Sequence, residues 1–219
     1  MSLAAIRGHS GALEFIHRAL KSDRLHHAYL FAGPAGVGKG MVARAFSKAL
    51  LCEDRSTVDS CGVCGTCRRV ENGQYADLHV LAREEKKAGG LERSIKIHQV
   101  RELQKALSFK AYEGTRRIVI ILEPESMTAS TANALLKTLE EPGADTHFIL
   151  VSDAAHRLLP TVISRCQKVR FGPLDTDVVA ELILQHGEIN ETHAQLIARL
   201  AEGSVGRGLS ILGSETMVA

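Results

Sequence analysis

Two groups of residues in this 219-residue chain have the types and spacing of working chemistry. The first is Gly33-Pro34-Ala35-Gly36-Val37-Gly38-Lys39-Gly40, which follows a short apolar run and precedes a helical one. Glycines at this spacing let successive backbone N–H groups turn toward an anion, and a helix N-terminus adds its dipole. Lys39 stands where a phosphate-binding loop places the lysine that reaches the β- and γ-phosphates of a nucleotide. The second group is Cys52, Cys61, Cys64 and Cys67, spaced C-x8-C-x2-C-x2-C. Four thiolates, with Gly62 and Gly65 in the tight turns, suit a closed tetrahedral Zn²⁺ site whose role is folding. An iron–sulfur cluster competes for such spacing, but ferredoxin patterns continue into a further Cys-Pro, and none follows Cys67.

The phosphate loop is altered where it should grip a cation. Position 40 holds glycine, where Ser or Thr would offer Mg²⁺ a hydroxyl. An apolar run over Ile118–Ile121 ends in Leu122-Glu123, where an active ATPase of this kind has Asp followed by Glu. Leu122 carries no carboxylate. Glu123 is either a general base or a solvated charge at the end of a strand. Both defects weaken the same metal, so the sequence predicts that ATP or ADP binding stays open while efficient hydrolysis is lost. The alternative is an autonomous ATPase motor that binds and hydrolyses ATP through Lys39 and Glu123.

These residues need elements to position them. Ala28–Ala32 reads as a buried strand leading into the loop, and 41–51 as the helix that follows. Further strands are expected at 77–81, 118–122, 148–151 and 169–171, with helices over 97–107 and 128–139. Strands alternating with helices imply a parallel sheet covered on both faces. Gly172-Pro173 marks a boundary, after which Val178, Leu182, Ala194, Ile197, Leu200 and Ala201 follow helical spacing; Gly203 and Gly206-Arg207-Gly208 precede a third helix. The expected organisation is an α/β core over residues 1–173, with the cysteine module at 52–67, and an all-α lid over 174–219.

Three further stretches point one way. Leu25-His26-His27-Ala28-Tyr29-Leu30-Phe31 leads into the loop, and Asn133-Ala134-Leu135-Leu136-Lys137-Thr138-Leu139-Glu140-Glu141-Pro142 follows the acidic strand. Leu159-Pro160-Thr161-Val162-Ile163-Ser164-Arg165-Cys166 precedes the last strand. With the phosphate loop they resemble the bacterial DNA polymerase III clamp loader subunits of the AAA+ superfamily, over about residues 4–212. The resemblance implies a P-loop AAA+ core, a helical lid, and then a collar domain, which is expected to be absent from this chain. It implies a subunit of a nucleotidyltransferase holoenzyme, in a hetero-pentamer with gamma/tau and delta subunits, acting on the sliding clamp and primer–template DNA. Members with a degenerate loop serve there as rigid stators. The resemblance also implies a zinc module at the four cysteines. On its own chemistry Arg165 is a strand-entry arginine in an intramolecular salt bridge; the resemblance makes it an arginine finger for the neighbouring subunit's ATP site. Arg207 then matches a lid arginine that senses nucleotide, and Ser152 the polar residue that senses the γ-phosphate, although an ordinary strand-end serine fits Ser152 equally.

Composition adds boundaries. A hydrophobic share of 45% and a charged share of 24% describe an ordinary folded chain. No run reaches the ~18 apolar residues of a membrane span, and residues 1–18 lack a signal-peptide core, so a cytoplasmic protein is expected. Aromatics are 4% with no Trp, which gives little for a base-stacking platform. The net charge of +2 is mild, but Arg101, Lys105, Lys110, Arg116 and Arg117 cluster, and either track phosphates or form a solvated helix face. Cys166 reads as a small buried hydrophobe. His79 is surplus to a completed set of sulfurs.

Overall fold

The structure, a computed structural model, describes residues 1–54, 56–86, 89–114, 116–186 and 189–216. Five parallel strands form one sheet in the order β2-β3-β4-β1-β5: β1 is Ala28–Ala32, β2 Leu78–Leu81, β3 Arg117–Leu122, β4 Thr146–Ser152 and β5 Gln167–Arg170. The three inner strands are buried on both faces, which is why they read as unbroken apolar runs. Their alternate residues divide between two cores. Tyr29, Phe31, Ile118, Ile120, Ile149 and Val151 face one side; Leu30, Val119, Ile121, Phe148 and Leu150 face the other. The edge strand β5 exposes Gln167, Lys168 and Arg170, charges and polarity that discourage further pairing.

Helices α1 (Ser10–Ser22) and α2 (Lys39–Leu51) cover the first face through Ile16, Val42, Phe46 and Leu50. Helices α4 (Ile97–Ser108), α5 (Ala129–Glu140) and the single turn α6 (Pro160–Ile163) cover the second through Val100, Leu103, Leu135, Leu139 and Val162. Thr128 caps α5 by accepting from the Thr131 N–H at 3.3 Å. Between α2 and β2 lies α3 (Gly65–Glu71), a helix the sequence pattern does not signal: it spans under two turns and is capped by a cysteine sulfur, Cys64, accepting from the Cys67 N–H.

Beyond β5, α7 (Thr176–Leu184), α8 (Glu191–Leu200) and α9 (Val205–Thr216) gather their own apolar cluster around Val179, Ile183, Ala194, Ile197 and Ala201. Helix α9 starts at Val205, so Gly206 and Gly208 lie inside its first turn rather than ahead of it. Close packing explains glycine there. A Cβ on Gly208 would meet the Ile183 side chain at 2.7 Å, and one on Gly206 would meet Gly36 Cα at 2.9 Å.

The basic cluster is also thinner than its sequence suggests. Arg117 is 7% exposed, and its guanidinium donates to the carbonyls of Leu107 and Phe109 at 2.7 and 2.6 Å, closing the C-terminal end of α4. Arg116 pairs with Asp23 at 2.8 Å. Arg101, Lys105 and Lys110 remain exposed.

Candidate functional site

In a parallel sheet, ligands gather beyond the carboxyl ends of the strands. Here β4 lies between β3 and β1, with Leu122 opposite Val151 and Ala32 opposite Ser152. The phosphate loop, Ser152 and Glu123 therefore share one edge. Gly36 and Gly38 take left-handed backbone angles (φ 71° and 102°), which glycine adopts without the strain a Cβ brings. Among the described residues no acceptor serves the N–H groups of Gly38, Lys39 or Gly40, which leaves the start of α2 as a set of free donors. The Ser152 hydroxyl beside them is wholly buried and without a partner.

The loop is held from outside. Gly206 N–H donates to the Gly36 carbonyl at 2.9 Å, the Ser204 hydroxyl donates to the Ala35 carbonyl at 2.9 Å, and His9 Nε2 donates to the Val37 carbonyl at 2.7 Å. With its carbonyls taken outward, the inner face is left to N–H groups. Pro34 completes the turn, and its carbonyl accepts from Lys39. The lysine is 3% exposed, also donates to Gly33 O at 2.9 Å, and pairs with Asp153 at 2.6 Å. Asp153 is a member of this edge that the motif does not flag. The one available signal was an acidic residue directly after an apolar strand.

The cation side is bare. A side chain at Gly40 would meet nothing within 4 Å, and Leu122 packs half-buried against the first core. Glu123, in a left-handed conformation, is paired with Arg83 at 2.5 Å. Arg207 sits in the first turn of α9, one residue past Gly206, with its guanidinium on Glu202 at 2.6 Å. These residues fit a nucleotide's phosphates through backbone and lysine; a metal would depend on water and the phosphates themselves.

Arg165 lies elsewhere. It precedes β5, whose Gln167 pairs with Tyr29 near the start of β1, whereas the phosphate loop follows the end of β1. About five residues at ~3.3 Å each put it roughly 15–20 Å from its own loop. Its guanidinium donates to Thr161 O at 2.7 Å and pairs with Glu140. The intramolecular salt bridge is therefore present, and Arg165 lies at the strand end opposite the chain's own phosphate loop.

At the far end of α2 the four cysteines converge, their sulfurs all within 4.8 Å of one another. The Cys61 and Cys67 sulfurs are 4.0 Å apart, close to the edge of a tetrahedron with ~2.3 Å bonds. Backbone amides point at the sulfurs, among them Cys61 N–H to Cys52, Cys64 N–H to Cys61 and Cys67 N–H to Cys64, each at 3.4 Å. Burial pushes the Cys52 and Cys67 thiols up. At Cys64 burial also opposes ionisation, but the N–H groups of Cys67 and Glu53 and the neighbouring thiols outweigh it and bring the thiol down to about 7. Four sulfurs met by N–H donors form a set that could hold a metal ion. His79, on β2, is not part of the cluster, and Cys166 packs half-buried against the second core, where burial raises its thiol to about 12.

The family model described as "DNA polymerase III, delta subunit" matches residues 8–175. Bacillus subtilis DNA polymerase III subunit delta' is 35% identical over 188 residues, covering 86% of this chain and 54% of that protein. The delta' subunit of Pseudomonas aeruginosa is 41% identical over 140 residues, 64% of this chain and 41% of its own length. Escherichia coli subunit tau is 34% identical over 217 residues, 96% of this chain and 32% of its own. The chain thus spans about half the length of these curated relatives or less. Among solved structures, a Thermotoga maritima gamma-subunit-related protein matches with TM-score 0.57 and 21% identity, over 84% of this chain and 57% of that one. The RuvB Holliday junction branch migration motor from the same organism matches with TM-score 0.60 and 18% identity, over 95% and 62%. Those two likenesses concern the fold alone, which agrees with the sheet order and loop described above. With more than three-quarters of its length inside one family model, the chain belongs to the DNA polymerase III delta-subunit family and is similar to its delta' members.

Proposed function

We propose that the chain is the delta'-type subunit of a bacterial DNA polymerase III clamp loader, helping to load the sliding clamp onto primed DNA as a stator rather than a motor. The carrying observation is the phosphate loop: cradle and lysine are intact, while Gly40 and Leu122 supply no ligand to a cation. Binding a triphosphate without gripping its metal removes the charge neutralisation that phosphoryl transfer needs. ATP or ADP would rest on residues 33–40, with Arg207 as the lid arginine that senses it. Turnover would belong to neighbours.

In this reading the partners are gamma/tau and delta subunits in a hetero-pentamer, with the sliding clamp and primer–template DNA met through the complex, in the cytoplasm. Arg165 is the residue offered in trans, supported by its distance from the chain's own loop. A guanidinium against a neighbour's γ-phosphate stabilises the charge that develops there. Cys52, Cys61, Cys64 and Cys67 would hold a structural Zn²⁺, which supplies folding energy and no chemistry.

The test is a reconstituted clamp loader carrying Arg165→Ala. Loss of the finger should lower hydrolysis at the site it serves by ~10³-fold or more, and clamp loading should fail with it. Wild-type turnover and loading in that variant would remove the assignment. In parallel, the isolated protein with saturating Mg-ATP should show no turnover that depends on Lys39, judged against Lys39→Ala.

A further inference from the structure

The Lys39 ammonium has no donor to spare. An ammonium carries three N–H donors, and here they meet Gly33 O at 2.9 Å, Pro34 O, and Asp153 Oδ1 at 2.6 Å. At 3% exposure the lysine would pay heavily to stay charged without a counter-ion. Two of its partners are carbonyls of the loop itself, which cannot leave without unfolding the loop. Asp153 is the partner that can be exchanged.

Its placement is built rather than incidental. The N–H groups of Asp153 and Ala154 both donate to Glu125 Oε1, at 2.9 and 3.1 Å, which pins the backbone just past the end of β4. Glu125 itself sits in the turn Pro124–Ser126 directly after β3 and Glu123. Two neighbouring strand ends thus cooperate to aim one carboxylate at the lysine. Independently, the lid holds the loop in its cradle shape through Ser204 and Gly206. A Cβ on Gly36 would meet the Ser204 hydroxyl at 2.3 Å, so this contact leaves no slack.

We propose that Asp153 is an internal substitute for a phosphate, a residue that decides whether nucleotide polyphosphate enters this loop. The inference rests on the reading of the loop as an anion site and deepens it: the site is silent because its cation ligands are gone and because its lysine is already taken. An entering phosphate oxygen must displace the Asp153 carboxylate, which swings toward solvent on its partly exposed side. Apparent affinity is then the intrinsic affinity reduced by the fraction of molecules whose lysine is free. The same arrangement keeps loop and lid in one fixed shape with no nucleotide bound, which a stator requires.

The test measures binding of ATP, ADP and inorganic pyrophosphate to the full protein in EDTA, so that the missing metal ligands play no part. Asp153→Asn should bind ATP at least about tenfold more tightly than wild type. The gain should persist in 0.5 M salt, where the Debye length shrinks to a few ångströms and long-range repulsion is screened. Adding Lys39→Ala should abolish it. Unchanged or weaker binding in Asp153→Asn, a gain lost in salt, or a gain that survives Lys39→Ala would each overturn the proposal. Should Asp153→Asn misfold, Asp153→Ser carries the same expectation, and wild type supplies a reading without any variant. At saturating ATP the Asp153 carboxyl carbon resonance should move as its lysine partner is lost, and a resonance that stays put sinks the idea. None of these outcomes bears on the Arg165 assay, which reads turnover at a neighbour's site.

Discussion

The phosphate loop and the cysteine cluster stand at opposite ends of α2, which runs from Lys39 to Leu51 with Cys52 as its C-cap. They are incomplete and complete in different senses. The cluster is made of side chains, and all four are present and convergent. The loop is made of backbone; the side chains that would add a cation, at 40 and 122, are absent, yet the backbone has kept its shape. The difference teaches what holds each region. A side-chain site has no reason to persist except its ligand. The backbone cradle has a second reason, because Gly36 and Gly206 fit each other at van der Waals limits and dock the lid on the core. A loop without side chains for a cation at 40 and 122 still has packing work.

The largest expected effect breaks the cluster. Cys67→Ser removes a buried sulfur of the cluster next to the capped turn of α3. Structural metal binding is folding free energy, so the loss should be on the order of 3 kcal/mol or more, roughly a 6–12 °C fall in Tm for a chain of this size. A chelator should lower the wild-type Tm in the same way and leave Cys67→Ser unmoved. If wild type shown by elemental analysis to be metal-free melts where the loaded protein does, the two ends of α2 do not differ as described.

A smaller effect tests the loop by repairing it. Gly40→Thr places a side chain in open space near the start of α2, where leaving glycine helps the helix by a few tenths of a kcal/mol. Leu122→Asp costs ~1–3 kcal/mol, because Leu122 packs on the first core. The double variant should gain ATP affinity by about tenfold, ~1.4 kcal/mol, only when Mg²⁺ is present. Titrations with and without Mg²⁺ decide it. Equal affinities in both would mean that these two positions are not what separates the loop from a working one.

How much of this was legible depends on which forces set each feature. Strands β1, β3 and β4 announce themselves because both faces are buried, so nothing polar interrupts Ile118–Leu122 or Phe148–Val151. The loop and the cysteines are legible because their chemistry demands particular residues at fixed spacing. Helix α3 was hidden: Gly65-Thr66-Cys67-Arg68 carries no apolar stripe, and its cap is a sulfur that only the folded cluster supplies. Arg117 was counted as surface charge because sequence does not reveal that helix α4 ends beside it with open carbonyls. Asp153 was missed for a related reason. Its role arises from the order β3-β4-β1, which brings the residue after β4 against a lysine that is remote in sequence.

The smallest effect concerns the link between the two regions. Lys48 on α2 pairs with Glu71 on α3, joining the helix of the loop to the helix of the cluster. The hydrogen bond from Lys48, then that from the terminal ammonium, hold the Glu71 carboxyl at about 2, with burial opposing weakly. In the unfolded chain it titrates near 4.5, so the folded state binds the proton less readily. The contribution is therefore fully present above pH ~4.5 and is lost as pH falls toward 2. Because the carboxylate is half exposed, its size is below ~1 kcal/mol. Denaturant unfolding of wild type and Glu71→Gln should show that gap at pH 7 and its closure near pH 2. Acid also protonates the cysteines, but that loss strikes both proteins and cancels in the difference. Repeating the pair in the Cys67→Ser background asks whether the cluster places Glu71 at all. If it does, the two substitutions are coupled and the gap shrinks at pH 7 as well. If the gap keeps its full size there, α3 holds its position by packing on α2 alone, and the two ends of that helix are independent.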